Sequence, residues 1–156
     1  MAGQPRRRGV DPDLIADAII GASAVLVRVT VEALDSLAPD LNLTDLRVLA
    51  VLDREGPQRL IDIATVLDAT STTATRIADR LAAGQMVERV RRSDDRREIH
   101  LAIAAAGRQL VGDVFSRRRQ MVAEMLGGIA MADSVATMRV LDRITGSSAT
   151  RTVESA

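Results

Sequence analysis

Two short helices joined by a tight turn are predicted within residues 58–84, and this feature constrains the fold most. Apolar residues recur at helical spacing in Leu60–Leu67 and again in a second helix that Thr70 or Ser71 caps and that reaches Ala83. The side chains predicted to face one another are Ile63, Ala64, Leu67, Ala74, Ile77, Ala78 and Leu81. Because alanine lets helix backbones approach closely, the segment reads as a helix-turn-helix.

A β-hairpin is predicted directly after the second helix. Gly84 stands where a C-cap glycine belongs, and two candidate strands follow at 87–92 and 97–103. In the second strand apolar residues alternate cleanly, and the polar residues 93–96 between the strands read as a turn. Three helices followed by a hairpin form a winged helix, so residues 43–105 are predicted to be a winged helix-turn-helix domain.

Long helices flank this domain. Asp11 and Pro12 begin the first, which occupies 11–38 and ends before Pro39, and Thr44 is expected to cap the next helix. After the hairpin, residues 107–145 read as a helix interrupted near residue 127 and a last helix capped by Asp133. The predicted fold class is therefore mainly α with a small β-hairpin wing (α+β). Residues 1–10 are expected to be a disordered basic arm and 146–156 a disordered tail.

Composition excludes several functions. The absence of cysteine rules out disulfides, thiolate zinc sites and cysteine nucleophiles, and the single histidine, His100, cannot form a metal site alone. His100 is expected to be a structural residue at the surface of the second strand. The sequence contains no glycine-rich phosphate loop and no nucleophile motif, so neither an enzyme nor a cofactor is predicted.

No apolar run approaches the roughly 20 residues that a membrane span needs. The basic residues 1–9 are not followed directly by the apolar stretch of a signal peptide. We therefore expect a cytoplasmic protein with no membrane partner.

Charge is distributed unevenly along the chain. The formal net charge is zero, but residues 70–97 hold seven arginines and four acidic residues, a local net charge of +3. A neutral protein can still present one basic face to nucleic acid.

The candidate DNA-binding residues lie on the second helix of the helix-turn-helix and on the hairpin. Hydroxyls bond phosphates or base edges, and arginine grips guanine bidentately, so the exposed helix face suits a major groove. The hairpin arginines suit a minor groove. The candidates are Ser71, Thr72, Thr73, Thr75, Arg76, Arg80, Arg91, Arg96 and Arg97.

These motifs, taken in order, resemble the MarR family of bacterial regulators. The resemblance rests on the run from Leu60 to Ala64, the helix from Thr70 to Leu81, the hairpin sequence Asp94 to Arg97, and the segment from Leu101 to Gly107. It implies a homodimer held by the helices at 11–38 and 107–145, and a pseudo-palindromic operator. It also implies release from DNA by a small phenolic or lipophilic anion.

The resemblance further implies roles for single hairpin residues. Arg97 would be the minor-groove arginine and Asp95 would orient it, with Arg89 as a further ion-pair partner of Asp95. Ala104 departs from the family, which has a capping threonine there, and aromatic side chains for a ligand pocket are nearly absent.

The sequence thus predicts a homodimeric, DNA-binding transcriptional repressor. Its expected partners are double-stranded DNA, a second copy of the chain and a small-molecule effector. The alternative is a winged-helix dimer that serves as a protein interaction module without specific DNA binding. Salt-dependent binding to duplex DNA separates the two.

Overall fold

The computed structural model describes residues 11–91, 99–128 and 130–146, with five positions among them described by backbone alone. The described residues form two compact units, the first ending at Val122 and the second beginning at Ala123. The predicted turn at 93–96, the basic arm and the tail from residue 147 lie outside the described residues.

The elements follow the predicted winged-helix order, with one short strand added. Helix α1 spans Pro12–Leu37, α2 Leu43–Glu55, strand β1 Gln58–Arg59, α3 Leu60–Leu67, α4 Ser71–Ala83, β2 Val87–Arg91, β3 Ile99–Ile103, α5 Ala105–Met125 and α6 Met131–Thr145. The predicted mainly α fold with a small β-hairpin is confirmed.

Most helix ends are set by local capping. The Asp11 side chain accepts a hydrogen bond from the backbone N–H of Asp13 (3.1 Å) and begins α1, and Gly56, with φ +78°, ends α2. Two predicted caps are wrong. Asn42 caps α2 instead of Thr44, and α6 begins after Ala130 instead of at Asp133.

One hydrophobic core joins α1 to α5 within the first unit. The last turns of α1 meet α2, the two helices of the helix-turn-helix, the sheet and the first half of α5. All but one of the side chains predicted to join α3 to α4 are buried, and Leu67 packs partly buried against them. The largest fully buried apolar side chains are Leu34, Leu49, Leu52, Leu81, Leu101, Val48 and Val114.

The sheet has three antiparallel strands in the order β1-β3-β2. His100 of β3 lies opposite Arg59 of β1 on one side and Val90 of β2 on the other. The prediction that His100 is a surface residue is therefore wrong: its exposure is 5%, because β1 turns β3 from an edge strand into the central one.

The junction between β3 and α5 needs a residue without a side chain. The backbone N–H of Ala104 donates to the Met86 carbonyl oxygen (3.0 Å), which draws the start of α5 onto the segment before β2. A Cβ atom added to Gly107 would stand 2.2 Å from that same oxygen. The small residues after β3 thus permit a close approach of two backbone segments.

Helix α1 leaves most of its apolar surface uncovered. Only Val29, Ala33 and Leu34 are buried in it, whereas Ile20 is 66% exposed. By length and composition it is the one helix in the described part of the chain that is apolar enough to cross a membrane, so the expectation that no such segment exists is wrong. The core contacts of its last turns, at Val29, Ala33 and Leu34, account for part of this composition.

The second unit contains α6 and the end of α5. Five apolar side chains of α6 are exposed: Val135, Met138, Val140, Leu141 and Ile144. This helix too has an apolar surface that nothing within its own unit covers.

Candidate nucleic-acid interface

The turn between α3 and α4 determines the residue at which α4 begins. Asp68 adopts a left-handed conformation (φ 51°) and ends α3, and the Thr70 hydroxyl accepts a hydrogen bond from the backbone N–H of Thr73 (3.2 Å). The predicted turn and the Thr70 cap are confirmed. Two short helices joined in this way hold α4 rigidly against α3.

The faces of α4 have different neighbours. Successive residues are rotated by roughly 100° about a helix axis. The buried line of Ala74, Ile77, Ala78 and Leu81 faces the core. Thr72, Arg76 and Asp79 therefore lie on the opposite side, which we call the outward line. These three residues are exposed, and they form the face of α4 that a large partner can reach.

The predicted hydroxyl residues divide into two groups. The Thr73 hydroxyl bonds the Thr70 hydroxyl (3.0 Å), and the Thr75 hydroxyl donates to the Ser71 carbonyl oxygen (2.9 Å). Within the described ranges, no hydrogen bond from another protein group engages the side chains of Ser71, Thr72 or Arg76. These three keep their full hydrogen-bonding capacity for a ligand.

Arg80, a predicted DNA contact, is bound inside the protein. Its Nη2 donates to Oδ1 of Asp45 at 2.5 Å, and the carboxylate of Asp45 is fully buried. Arg80 lies on the flank of α4 that faces α2. The structure thus brings Arg80 to α2 instead of to the outward line.

Arg89 of β2 pairs with the outward line of α4. Its Nη2 donates to Oδ1 of Asp79 at 2.5 Å, and both side chains are about half exposed. The expected partner Asp95 lies outside the described residues, as do Arg96 and Arg97. Arg91 ends β2, where its backbone pairs with Ile99. The strands thus fix the base of the hairpin beside α4, and the roles of the hairpin arginines stay predictions.

A cavity of about 600 Å³ lies beside α4, on the Arg80 flank. Its walls come from the end of α1, the α1–α2 connection, the start of α2 and α4. They are mostly apolar, and their charged residues are Asp35, Arg76 and Arg80. The lining residues are Val31, Leu34, Asp35, Leu41, Asn42, Leu43, Thr44, Thr73, Arg76, Ile77 and Arg80. In the part of the chain that the structure describes, no group of His, Asp and Glu side chains is arranged to hold a metal ion.

One ionisable group near the helix-turn-helix has a shifted pKa. Arg59 donates two hydrogen bonds to the carboxylate of Asp62, from Nε at 2.7 Å and from Nη2 at 2.8 Å. These hydrogen bonds and the guanidinium charge hold the pKa of Asp62 below its ordinary value. Asp62 therefore stays ionised at neutral pH and compensates the charge of Arg59 at the start of α3.

Sequence reasoning missed Asp45 and Asp79 as partners of the candidate arginines. Asp45 is three residues after Asn42, a spacing typical of a capping box, and this signal was present in the sequence. Its ion pair with Arg80 joins residues 35 positions apart, which no local pattern reveals.

Comparisons with known proteins agree with this geometry. Residues 41–99 match the model of the MarR family, a range that contains α2, the helix-turn-helix and the sheet up to the start of β3. The uncharacterized HTH-type transcriptional regulator YpoP of Bacillus subtilis is 27% identical over 75 residues, which cover 48% of this chain and 53% of YpoP. In that match the chain spans about half the length of its relative.

Two further comparisons extend beyond the helix-turn-helix. The HTH-type transcriptional repressor MdtR of Bacillus subtilis is 26% identical over 114 residues, 72% of this chain and 74% of MdtR. The crystal structure of RV1404 from Mycobacterium tuberculosis is similar with a TM-score of 0.82 and 27% identity, and the match covers 93% of this chain and 99% of that one. The likeness to RV1404 therefore includes the flanking helices.

Proposed function

We propose that the chain is a transcription regulator of the MarR family, whose model matches residues 41–99, and that it binds a specific DNA sequence and regulates transcription there. The observation that carries the proposal is the outward line of α4. Thr72 and Arg76 are exposed there, and no hydrogen bond from the described part of the protein engages their side chains. A helix with such a face fits a major groove, where arginine recognises guanine and hydroxyls bond bases or phosphates.

We assign different tasks to the remaining candidates. Ser71 begins α4, and with Thr73 and Thr75 it lies where the first turn of a recognition helix meets phosphates. Arg97 is proposed to enter the minor groove, as its position in the hairpin motif implies, and Asp95 is proposed to orient it. Arg91 and Arg96 are proposed to contact the phosphate backbone of the DNA. This division gives base recognition to α4 and affinity to the hairpin.

Arg76→Ala tests base recognition, with Arg54→Ala as the matched control. Arg54 is an exposed arginine of α2 whose side chain is 74% accessible and pairs with Glu55, outside α4. We expect Arg76→Ala to lower the affinity for a selected operator about 5- to 100-fold more than the affinity for random DNA. Equal losses on both DNAs, or the same loss in Arg54→Ala, would contradict base recognition.

We propose that the functional form is a homodimer. In α1 the exposed apolar side chains are accompanied by hydroxyls that bond within the helix: Ser23 donates to the Ile20 carbonyl (2.7 Å) and Thr30 to the Leu26 carbonyl (2.8 Å). Polar groups satisfied in this way can be buried at little cost. A second copy of the chain would cover the exposed apolar side chains of α1. Helix α6 offers another apolar surface for the same interface.

The dimer explains how one small domain reads an operator. Two copies of α4 related by a two-fold axis would enter successive major grooves about 34 Å apart, which requires a pseudo-palindromic site. Sedimentation equilibrium tests the interface with Ile20→Asp, whose side chain is 66% exposed in α1, and with Ile61→Asp, 54% exposed in α3, as the control. We expect only the first to shift the protein towards monomer. A monomeric wild type at micromolar concentration would refute the dimer.

We further propose that the regulator is a repressor and that a small lipophilic anion releases it from DNA. The repressor role rests on the likeness to MdtR. The cavity beside α4 supports the effector, because its walls are mostly apolar and hold two arginines, Arg76 and Arg80, against one carboxylate, Asp35. A ligand there would touch the recognition helix directly and so change the affinity for DNA.

A titration with 2-hydroxybenzoate as the probe tests the effector. We expect it to bind with a heat signal, to release operator DNA and to bind more weakly to Leu41→Asp, which places a carboxylate in the apolar wall. Val66→Asp, at an exposed position of α3 outside the cavity, should bind the probe as the wild type does. Release of DNA without any effect of Leu41→Asp would place the effector elsewhere.

A further inference from the structure

The carboxylate of Asp45 is the most deeply buried charge in the described part of the winged helix. Its residue is 0% exposed. Oδ2 accepts a hydrogen bond from the backbone N–H of Asn42 (3.0 Å), and Oδ1 accepts one from Arg80 Nη2 (2.5 Å). A buried carboxylate is tolerated only when its charge and lone pairs are matched. One side chain therefore caps α2 and holds α4 at the same time.

Arg80 links the buried carboxylate of Asp45 to α4, the helix that carries the outward line. It follows Arg76 by four residues, one turn along α4, but lies on the flank that faces α2. Its side chain is 46% exposed, although its guanidinium is bound to a fully buried partner. The contact is a single hydrogen bond from Nη2 to Oδ1, made by the planar and always charged guanidinium of arginine.

From this geometry we infer that Asp45 is a positioning residue, which acts through Arg80 to fix the rotation of α4 about its axis. The inference rests on the proposed DNA-binding function of α4. A rotation of about 10° would move a side-chain tip roughly 6 Å from the helix axis by about 1 Å. A displacement of that size is enough to lose a bidentate contact to a base.

The ion pair between Asp79 on the outward line of α4 and Arg89 of β2 constrains rotation less. Asp79 and Arg89 are 57% and 47% exposed, so water and salt screen their attraction. The carboxylate of Asp45 has no access to water, so salt screens its attraction to Arg80 less. The buried pair is therefore the one that sets the orientation of Thr72 and Arg76.

The central test is the double variant Asp45→Asn/Arg80→Met, which removes both charges and leaves the net charge unchanged. Binding constants are measured for a selected operator and a random duplex of equal length at two salt concentrations. We expect the operator preference to fall about tenfold, while the affinity for random DNA stays within about twofold and its salt slope does not change.

The single variants and a matched control separate positioning from DNA contact. Asp53→Asn makes the same change in the same helix and breaks an exposed pair with Arg108 (2.9 Å), and it should retain the wild-type preference. If Arg80→Met lowers the affinity for random DNA and reduces the salt slope by about 1 while Asp45→Asn changes nothing, Arg80 contacts phosphate and the inference is overturned. Arg80→Lys should recover part of the preference lost in Arg80→Met.

A measurement without DNA distinguishes failure of the inference from failure of the proposed function. If the wild type shows no operator preference, the proposed function fails. Amide hydrogen exchange of Ser71–Ala83 in the free protein still tests the pair. We expect the double variant Asp45→Asn/Arg80→Met, which leaves no buried charge unpaired, to accelerate exchange there relative to Asp53→Asn. Unchanged exchange in α4 would overturn the positioning role.

Discussion

Replacing the glycines of α5 with alanine should have opposite effects at two positions of the same helix. A Cβ atom at Gly107 would lie 2.2 Å from the Met86 carbonyl oxygen and 3.0 Å from Cγ1 of Ile103. Met86 or the start of α5 would have to move by about 1 Å to restore an ordinary contact. Nothing lies within 4 Å of a Cβ atom at Gly112.

The magnitudes follow from three opposing effects. Overpacking costs about 1–3 kcal/mol, and straining the hydrogen bond from Ala104 to Met86 costs about 1 kcal/mol. The higher helix propensity of alanine returns about 1 kcal/mol. We therefore expect Gly107→Ala to lower the free energy of unfolding by about 1–3 kcal/mol, and Gly112→Ala to raise it by about 0.5–1 kcal/mol.

Urea denaturation at one fixed protein concentration measures both variants. In a chain of this length a loss of 1 kcal/mol lowers the melting temperature by roughly 2–4 °C, so thermal unfolding gives an independent reading. If Gly107→Ala is as stable as the wild type, the close approach of α5 to Met86 does not exist. An equal loss in Gly112→Ala would mean that α5 disfavours any side chain added at its glycines.

Two further predictions concern helix starts. Asn42→Ala should destabilise the protein by about 1 kcal/mol, because its side chain accepts hydrogen bonds from two backbone N–H groups at the start of α2, whereas Thr44→Ala should change stability by less than about 0.5 kcal/mol in the same urea experiment. Arg59→Gln should raise the pKa of Asp62 towards its ordinary value, measured from the carboxyl ¹³C shift. Because the folded pKa of Asp62 is depressed, the stability that Asp62 contributes is present above its unfolded pKa and is lost as the pH falls through the folded pKa. Arg59→Gln should abolish this dependence of stability on acid pH. An unchanged titration curve of Asp62 would refute its pairing with Arg59.

The parts of the fold that sequence predicted are those encoded locally. Thr70 begins α4 with a cap that its neighbours alone satisfy, and Gly84 ends α4 at the predicted position. The apolar periodicity of α3 and α4 follows from which faces of these helices the core buries. Such signals require no knowledge of distant residues, and the helix-turn-helix could therefore be read directly.

The parts that sequence did not predict depend on distant contacts. Strand β1 has only two residues, which pair with Leu101 and His100 more than 40 positions away. Its absence from the prediction left His100 on an edge strand and hence at the surface. Arg80 was assigned to DNA because helical spacing places it near Arg76, but the buried carboxylate that binds it comes from α2.

Arg89 illustrates a third case. The hairpin motif implies Asp95 as its partner, which lies outside the described residues, and within those residues Arg89 is bonded to Asp79 of α4. The distance from β2 to α4 depends on the turn at Gly84 and on the left-handed conformation of Gln85 (φ 58°). A residue other than glycine in that conformation has no strong sequence signal.

Sequencing the genomic fragments that the purified protein retains at moderate salt tests the proposed function most directly. We predict that the fragments share a pseudo-palindromic motif whose half-sites are roughly one helical turn apart, and that Arg76→Ala weakens the enrichment of that motif. Retention of fragments with no common motif, or of no DNA at all, would contradict a sequence-specific regulator and favour a winged helix that binds protein.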